Sequence, residues 1–286
     1  MMGRYYLDME FTHGNYYLGD VLEIALVTED GLNEFHGLVQ INYPLPRQVT
    51  ELTKLTDHLL SLHGRSWKDT ITTLIDFIVC REEKEREERE GSPVVIIAHG
   101  GYLHDFPLLL TNCMKWYLFQ PIADRLKEFL FVDSLDIFRD NGYTKPGLDS
   151  LCQRLGIVRN SHSAITDAHL LRIALDRLLP SVAASLMNYT FTFGDIVSFV
   201  CGQLPVPIET VYDWAWNYRS YRQLESALLP YVHKRTALNE KQNCKIAVYY
   251  FKCMTNYGNN YAKIYFISFL FNPNSLILRW LGRDII

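Results

Sequence analysis

Along the first 180 residues of the chain, segments in which hydrophobic residues recur with one spacing take turns with segments that have a second spacing. Runs that are apolar at every second position, or throughout, predict β-strands, whereas apolar residues three and four positions apart predict helices. The β-branched run Val94–Ala98, introduced by Pro93, is typical of a strand buried on both faces of a sheet. In chain order, the pattern predicts strands at residues 4–11, 21–28, 34–41, 94–98 and 129–132, and helices at residues 70–80, 106–116, 147–155 and 164–179.

The order of these elements predicts the fold class. Three strands come first, and Asp30 and Gly31 supply a turn between the second and the third, so we expect these strands to be antiparallel. Helices that follow the later strands would cover both faces of the sheet, which favours an α/β layered domain over a helical bundle or a β-sandwich. We therefore predict a mixed five-stranded sheet flanked by helices in residues 1–180.

The periodicity weakens after Pro180. Residues 208–229 are predicted to be helical, and residues 246–251 and 264–271 are predicted to be strands or buried segments. No Gly/Ser-rich linker separates this region from the first domain. Residues 181–286 are therefore predicted to form a C-terminal extension, helical and rich in aromatic and basic residues, that packs on the first domain.

Composition and charge narrow the classes of function. The 286 residues are 48% hydrophobic and carry a formal net charge of −4, which fits a packed globular protein and argues against a basic surface that coats duplex DNA. The charge is uneven, because residues 231–286 contain eight Lys or Arg and two acidic residues. Lysines and tyrosines are interleaved there, as in protein surfaces that bind single-stranded nucleic acid. The alternative interpretation is a packed layer whose lysines face solvent.

Neither a membrane helix nor a secretory signal is expected from the sequence. No apolar stretch approaches the ~20 residues of a membrane helix, and the first residues lack the apolar region of a secretory signal. The six cysteines are scattered and include no C-x-x-C pair. We expect an intracellular protein, cytoplasmic or nuclear, with no membrane partner.

Acidic residues occur where the pattern otherwise predicts a buried sheet. Asp8 and Glu10 stand two positions apart in the first strand, so both side chains project from one face. Neighbouring anions in an apolar strand are costly unless a cation lies between them. Asp105 follows the strand Val94–Ala98, at the edge where open α/β sheets bind ligands, although it could simply cap the next helix.

A histidine and an aspartate surround the start of the last predicted helix. His162 and Asp167 are five positions apart, so on one regular helix they would be rotated by about 140° from each other. They can converge only if His162 lies in the loop before the helix and Asp167 in its first turns. A partly exposed loop histidine is the alternative for His162, and His169 is interpreted as a packing residue.

The order of these residues resembles a known pattern. Asp8, Glu10, Asp105 and Asp167, with a histidine five residues before the last, are similar to the motifs of the DEDDh-type (DnaQ-like) 3′-5′ exonucleases. The motifs look most like those of the three-prime repair exonucleases and of the exonuclease-like domain related to a promyelocytic leukaemia protein isoform. The resemblance spans about residues 4–179, and further matching segments are residues 49–56, 131–135 and 147–157.

The resemblance implies an RNase H-like exonuclease fold and a metal-dependent activity. Such an enzyme hydrolyses phosphodiester bonds from the 3′ end of single-stranded nucleic acid, here with DNA favoured over RNA, and releases nucleoside 5′-monophosphates. Four carboxylates without thiolates select hard cations, so we expect two Mg²⁺ ions, which Mn²⁺ can replace.

The resemblance also implies a role for each residue. Asp8 would bridge the two ions, and Glu10 and Asp167 would complete the ion on the side of the nucleophile. Asp105 would hold the other ion. His162 would be the general base that takes the proton from the attacking water.

Two positions depart from the family's motifs. The first motif usually continues Thr-Gly-Leu, but here His13 stands between Thr12 and Gly14, and the second motif has Gly100 after His99 where Asn is usual. Neither change removes a predicted ligand, so we expect activity to survive. The resemblance makes four residues candidate substrate contacts: Phe11, Thr12, His13 and His99.

Other functions and assemblies stay open at this point. A non-catalytic module on the same fold would bind nucleic acid or a protein without cutting it. A metallophosphohydrolase of the HD type would use His99, His104 and Asp105, but the further His and Asp of such a site are missing from the sequence. The resemblance also implies that the protein can form a homodimer.

Overall fold

A computed structural model describes residues 3–14, 16, 19–84, 93–115, 119–159 and 162–202. The elements predicted at residues 208–229, 246–251 and 264–271 lie outside these described residues. The chain divides into two units. The first comprises residues 1–112 and 118–196 and contains all the described strands, whereas the described part of the second comprises residues 113–115 and 197–202.

The described residues form six strands and nine α-helices. The strands are β1 (Gly3–Phe11), β2 (Val21–Thr28), β3 (Glu34–Leu38), β4 (Val94–Ala98), β5 (Phe129–Asp133) and β6 (Thr190–Thr192). The helices are α1 (Arg47–Thr53), α2 (Asp57–His63), α3 (Trp67–Lys84), α4 (Asp105–Lys115), α5 (Phe119–Leu126), α6 (Ser134–Asp140), α7 (Leu148–Arg154), α8 (Ala164–Leu178) and α9 (Phe193–Gly202). Among them, no helix is both long and apolar enough to cross a membrane.

The strands form one mixed sheet in the order β3-β2-β1-β4-β5-β6. β1, β2 and β3 are antiparallel neighbours, β4 is parallel to β1 and β5, and β6 is antiparallel to β5. The pairing of β1 with β2 places Asp8 opposite Ala25 and Glu10 opposite Glu23. The predicted mixed α/β architecture is confirmed.

The predicted number of strands was wrong by one, because β6 adds a sixth. The ring of Phe191 in β6 lies 5.6 Å from that of Phe106 and 6.3 Å from that of Phe131. Three residues are too few to show an alternating pattern, and this aromatic contact is tertiary, so periodicity could not reveal the strand. β6 belongs to the segment predicted as an extension, whose packing on the first domain stays a prediction.

Helix α8 covers the face of the sheet next to the acidic end of β1. Ala25 of β2 and Ala164 and Ala168 of α8 form a fully buried cluster. Because these side chains are single methyl groups, the helix backbone can approach the strands closely. Farther along α8, Leu171 packs in the same cluster as Tyr6 of β1. This packing places the first turns of α8 beside the carboxyl half of β1.

Candidate active site

The predicted acids meet at the carboxyl end of β1. Asp8 and Glu10 project from β1, Asp105 is the first residue of α4, and Asp167 lies in the first turn of α8. Glu10, His162 and Asp167 each offer a ligand atom, and these three atoms lie within 4.8 Å of one another. The predicted geometry of a loop histidine before the helix therefore occurs, since α8 begins two residues after His162.

Asp8 lies within the field of the other three acids. Burial raises the pKa of the Asp8 carboxyl well above its usual range. The negative charges of Asp105, Asp167 and Glu10 raise this pKa further. The structure thus brings together all five residues predicted to be ligands or the base.

Two more acids of the cluster, Glu10 and Asp105, also have raised pKa values. Burial, and then the charges of Asp167 and Glu23, raise the pKa of Glu10 to about 8. Burial and the charge of Asp133 raise the pKa of Asp105 to about 7. Since carboxylates that repel one another are stabilised as anions by a cation, this arrangement favours binding of a positive ion.

The donor set fits a divalent cation of the hard class. Carboxylate oxygens are the ligands that Mg²⁺ and Mn²⁺ prefer, and no thiolate belongs to the cluster. The carboxylate oxygens of Glu10 and Asp167 lie within 4.8 Å of each other, close to the ~4 Å across a coordination sphere with ~2.1 Å bonds. The residues present therefore fit a divalent metal site.

Glu23, which the sequence pattern did not single out, anchors the start of α8. Its buried carboxylate accepts hydrogen bonds from the backbone N–H of Ala164 and the hydroxyl of Ser163, both at 3.2 Å. It also lies 2.7 Å from Nε2 of His36. A carboxylate at a helix N-terminus satisfies a free N–H and interacts favourably with the helix dipole. Glu23 thereby positions the helix that carries Asp167. The sequence signal that could have revealed it is a charged residue within an otherwise apolar strand.

A guanidinium also lies inside the acidic cluster. Nε of Arg159 donates to Oδ1 of Asp167 at 2.7 Å, and Nη2 donates to Oδ2 of the same carboxylate. Nη2 also donates to Nδ1 of His162 at 2.8 Å, and Nη1 donates to Asp149 at 2.7 Å. Arg159 opposes the effect of burial on the pKa of Asp167, which nevertheless stays raised. No periodicity marks an arginine in a loop, so the sequence analysis missed this residue.

Comparisons with solved structures identify the fold. The nuclease domain of 3′hExo, a DEDDh family member bound to rAMP, is 17% identical over 62% of this chain and 92% of its own, with a TM-score of 0.48. Cell-death related nuclease 4 (CRN-4) is 12% identical over 62% of this chain and 64% of its own, with a TM-score of 0.49. ExoI of E. coli, solved with zinc and single-stranded DNA, is 13% identical over 66% of this chain and 43% of its own, with a TM-score of 0.51. The similarity to ExoI shows that the chain has an RNase H-like exonuclease fold.

The resemblance stated from the sequence is confirmed at the level of this exonuclease fold. The chain spans less than two thirds of the length of CRN-4 and of ExoI. No protein-family model matches the sequence, and no curated protein matches it. Any inference about catalytic activity therefore depends on the residues of this chain.

In the exonuclease fold of this protein, Asp133 organises the loop between β4 and α4. Its Oδ1 accepts the N–H of Gly100 at 2.8 Å, and its Oδ2 accepts the N–H of Tyr102 at 3.1 Å. Oδ1 also accepts the N–H of Leu135 at 2.9 Å, at the start of α6. These bonds fix the loop that leads directly to Asp105.

Three candidate substrate contacts follow the acidic pair. Phe11 ends β1, and the pairing with β2 shifts register just before it. Oγ1 of Thr12 accepts the N–H of Asp20 at 2.9 Å, and the hydroxyl of Tyr43 donates to the carboxylate of Asp20 at 2.5 Å. These contacts hold the segment of Thr12 and His13 next to Glu10. A role in substrate binding stays a prediction for Phe11, Thr12 and His13.

The fourth candidate, His99, contacts a different part of the molecule. Its Nδ1 lies 2.8 Å from the hydroxyl of Ser134, and its ring makes an edge contact with Phe138 at 6.2 Å. His104 is exposed, and the described residues contain no group of potential metal ligands that includes His99 or His104. The geometry therefore does not favour a phosphohydrolase of the HD type. Substrate binding by His99 stays a prediction.

Proposed function

We propose that this protein is a metal-dependent 3′-5′ exonuclease that acts on single-stranded nucleic acid, with DNA preferred to RNA, and releases nucleoside 5′-monophosphates. The observation that carries the proposal is the convergence of Asp8, Glu10, Asp105, Asp167 and His162 at the carboxyl end of β1. The fold supports it, because ExoI shares this fold and its structure contains single-stranded DNA.

The carboxylates would hold two Mg²⁺ ions, with Mn²⁺ as a substitute. Asp8 is central, because its charge interacts with those of Asp105, Asp167 and Glu10. When bound, the ions would stabilise the negative charge on the attacking and leaving oxygens of an in-line displacement at phosphorus. Glu23 and Asp133 would keep the ligand-bearing elements in place through the backbone N–H groups that they bind.

His162 would accept the proton of the attacking water. Its Nδ1 accepts a hydrogen bond from Arg159, which can only donate, so the neutral ring carries its proton on Nε2. Nδ1 therefore bears the lone pair of the neutral ring, and it can take the proton of water only when Arg159 does not bind it. The side chain is partly exposed in the segment before α8, so the proton can pass to solvent after each reaction.

One observation favours a second candidate function. The guanidinium of Arg159 already forms a two-bond pair with Asp167. If this pair were permanent, both oxygens of Asp167 would stay engaged with a positive charge, which disfavours binding of a metal ion. The protein would then be a non-catalytic module that binds single-stranded nucleic acid or a protein on an exonuclease fold.

A nuclease assay with a matched variant distinguishes the two functions. The substrate is a 5′-labelled single DNA strand with Mg²⁺, and a strand blocked at its 3′ end tests the direction. We expect a ladder of products from the wild type and a loss of at least a hundredfold in rate for Asp167→Asn, since the change removes a charged ligand. The blocked strand should stay intact.

Asp176→Asn is the control, because Asp176 lies on the same helix but pairs with Arg172 on the surface. This variant should retain the wild-type rate. An RNA strand of the same sequence, added as competitor, tests the preference for DNA. Absence of a ladder with the wild type, or equal cutting by Asp167→Asn, would contradict the exonuclease proposal.

A further inference from the structure

Arg159 contacts both a proposed metal ligand and the proposed base. Its side chain is 11% exposed and that of Asp167 is 2% exposed, so the pair between them is largely removed from water. An arginine side chain stays protonated in proteins, so Arg159 brings a permanent positive charge into a cluster of mutually repelling acids. A bound metal ion would bring positive charge to the same place.

We propose that Arg159 is an internal counter-ion that occupies the site in the metal-free protein and that an incoming divalent cation displaces it from Asp167. The inference rests on the proposed function, because it takes Asp167 to be a metal ligand. The guanidinium engages both oxygens of Asp167. A metal ion bound to the same carboxylate would lie within a few Å of a second positive charge, and the repulsion favours departure of Arg159.

The same displacement would release the base. While Nη2 of Arg159 donates to Nδ1 of His162, the lone pair of this nitrogen cannot accept a proton from water. Arg159 therefore blocks a ligand and the base with one group. The metal-free protein is held inactive, and loading of the metal prepares both residues together.

Asp149 gives the displaced guanidinium a second partner. Nη1 of Arg159 donates to Asp149 at 2.7 Å, and the Asp149 side chain is 76% exposed, so this end of the contact faces solvent. Arg159 can leave Asp167 and keep this bond. Without Asp149 the guanidinium would depend more strongly on Asp167, and the metal would have to compete with a tighter pair.

Binding of Mn²⁺ to the metal-free protein tests the proposal without measuring activity. The electron paramagnetic resonance signal of free Mn²⁺ reports the unbound ion, and the variants are Arg159→Gln and, as control, Arg139→Gln, which removes a surface pair with Asp136. We expect Arg159→Gln to bind Mn²⁺ about tenfold to a hundredfold more tightly than the wild type, because a charged competitor is gone. Arg139→Gln should bind like the wild type.

Thermal melting of the same proteins gives a second measurement. Without metal, Arg159→Gln should melt at a lower temperature than the wild type, because the charge of Asp167 loses its partner. With saturating Mn²⁺ this difference should disappear. A merely structural role for Arg159 would leave the same deficit with and without the metal.

Asp149→Asn keeps the test decisive if Arg159→Gln does not fold. This exposed substitution should by itself weaken binding of Mn²⁺ relative to the wild type. Where Arg159→Gln does fold, adding Asp149→Asn to it should have no further effect. Equal affinity for Mn²⁺ in the wild type, Arg159→Gln and Asp149→Asn would overturn the inference and leave the proposed function standing. Tighter binding by Arg159→Gln, together with a wild type that shows no nuclease activity, would support the inference and overturn the proposed exonuclease function. Failure of every variant to bind Mn²⁺ would overturn both.

Discussion

Gly100 holds a backbone conformation on which the loop before Asp105 depends. Its φ is +75°, in the left-handed region, and its N–H donates to Asp133. A Cβ at this position would meet only the ring of His104, at 3.7 Å, so conformation and not space favours glycine. Asn, which the resembled motif usually has here, adopts this region more readily than other side chains. The departure from the motif therefore preserves the backbone of the loop.

We expect Gly100→Ala to lower the free energy of unfolding by about 1–2 kcal/mol, the cost of placing a Cβ in the left-handed region. Gly100→Asn should cost clearly less. Urea denaturation of both variants measures the difference, since both retain the N–H that Asp133 binds. Equal losses for the two variants would contradict this account, because the readiness of Asn to adopt the left-handed region would then have no effect.

At the scale of elements, the approach of α8 to β1 and β2 depends on small residues. Ala25, Ala164 and Ala168 form the buried contact, and Glu23 accepts the N–H of Ala164, the first residue of the helix. The same contact sets the distance between Asp167 on α8 and Glu10 on β1. Packing and the geometry of the candidate site are therefore coupled through the first two turns of one helix.

Ala168→Leu tests this coupling. The larger side chain has no room against Ala25, so we expect a loss of about 1–3 kcal/mol in stability and a lower rate of cleavage. Thr166→Leu is the control, because it introduces the same side chain at an exposed position two residues earlier. Stability is measured by urea denaturation and the rate with saturating Mg²⁺. A normal rate in Ala168→Leu would separate helix packing from catalysis.

At the scale of the whole molecule, the acidic cluster sets how stability depends on pH. The pKa of Glu10 is raised to about 8 and that of Asp105 to about 7, whereas both groups titrate near their ordinary values when the chain is unfolded. Between the ordinary pKa values of the unfolded chain and the raised values of the folded protein, the folded protein binds more protons than the unfolded chain. The metal-free protein therefore loses stability as the pH rises through this window.

We expect the melting temperature of the protein in EDTA to fall between about pH 5 and about pH 8.5, by several degrees. Glu10→Gln should flatten this dependence, because it removes the group whose pKa is raised to about 8. Asp176→Asn, on the surface of α8, should keep the wild-type slope. Mg²⁺ should raise the melting temperature most at the alkaline end, and a stability that rises with pH in EDTA would contradict the prediction.

Much of the fold could be predicted, because its signals are local. The alternation in β1, the buried run of β4 and the apolar face of α3 each occupy a few consecutive residues, and secondary structure follows from such short-range periods. Asp8 and Glu10 share a face of a strand for the same reason. The order of the acids along the chain was enough to predict the site through its resemblance to known exonucleases.

The sequence by itself therefore determined five of the strands, four of the helices, and which residues are the candidate ligands and base. Only the tertiary structure decided which residues surround them. β6 joins the sheet through the ring of Phe191, Glu23 binds the start of a helix 140 residues later, and Arg159 enters a cluster assembled from distant segments. Such contacts depend on how elements pack across the fold, where separation in sequence says nothing about distance in space.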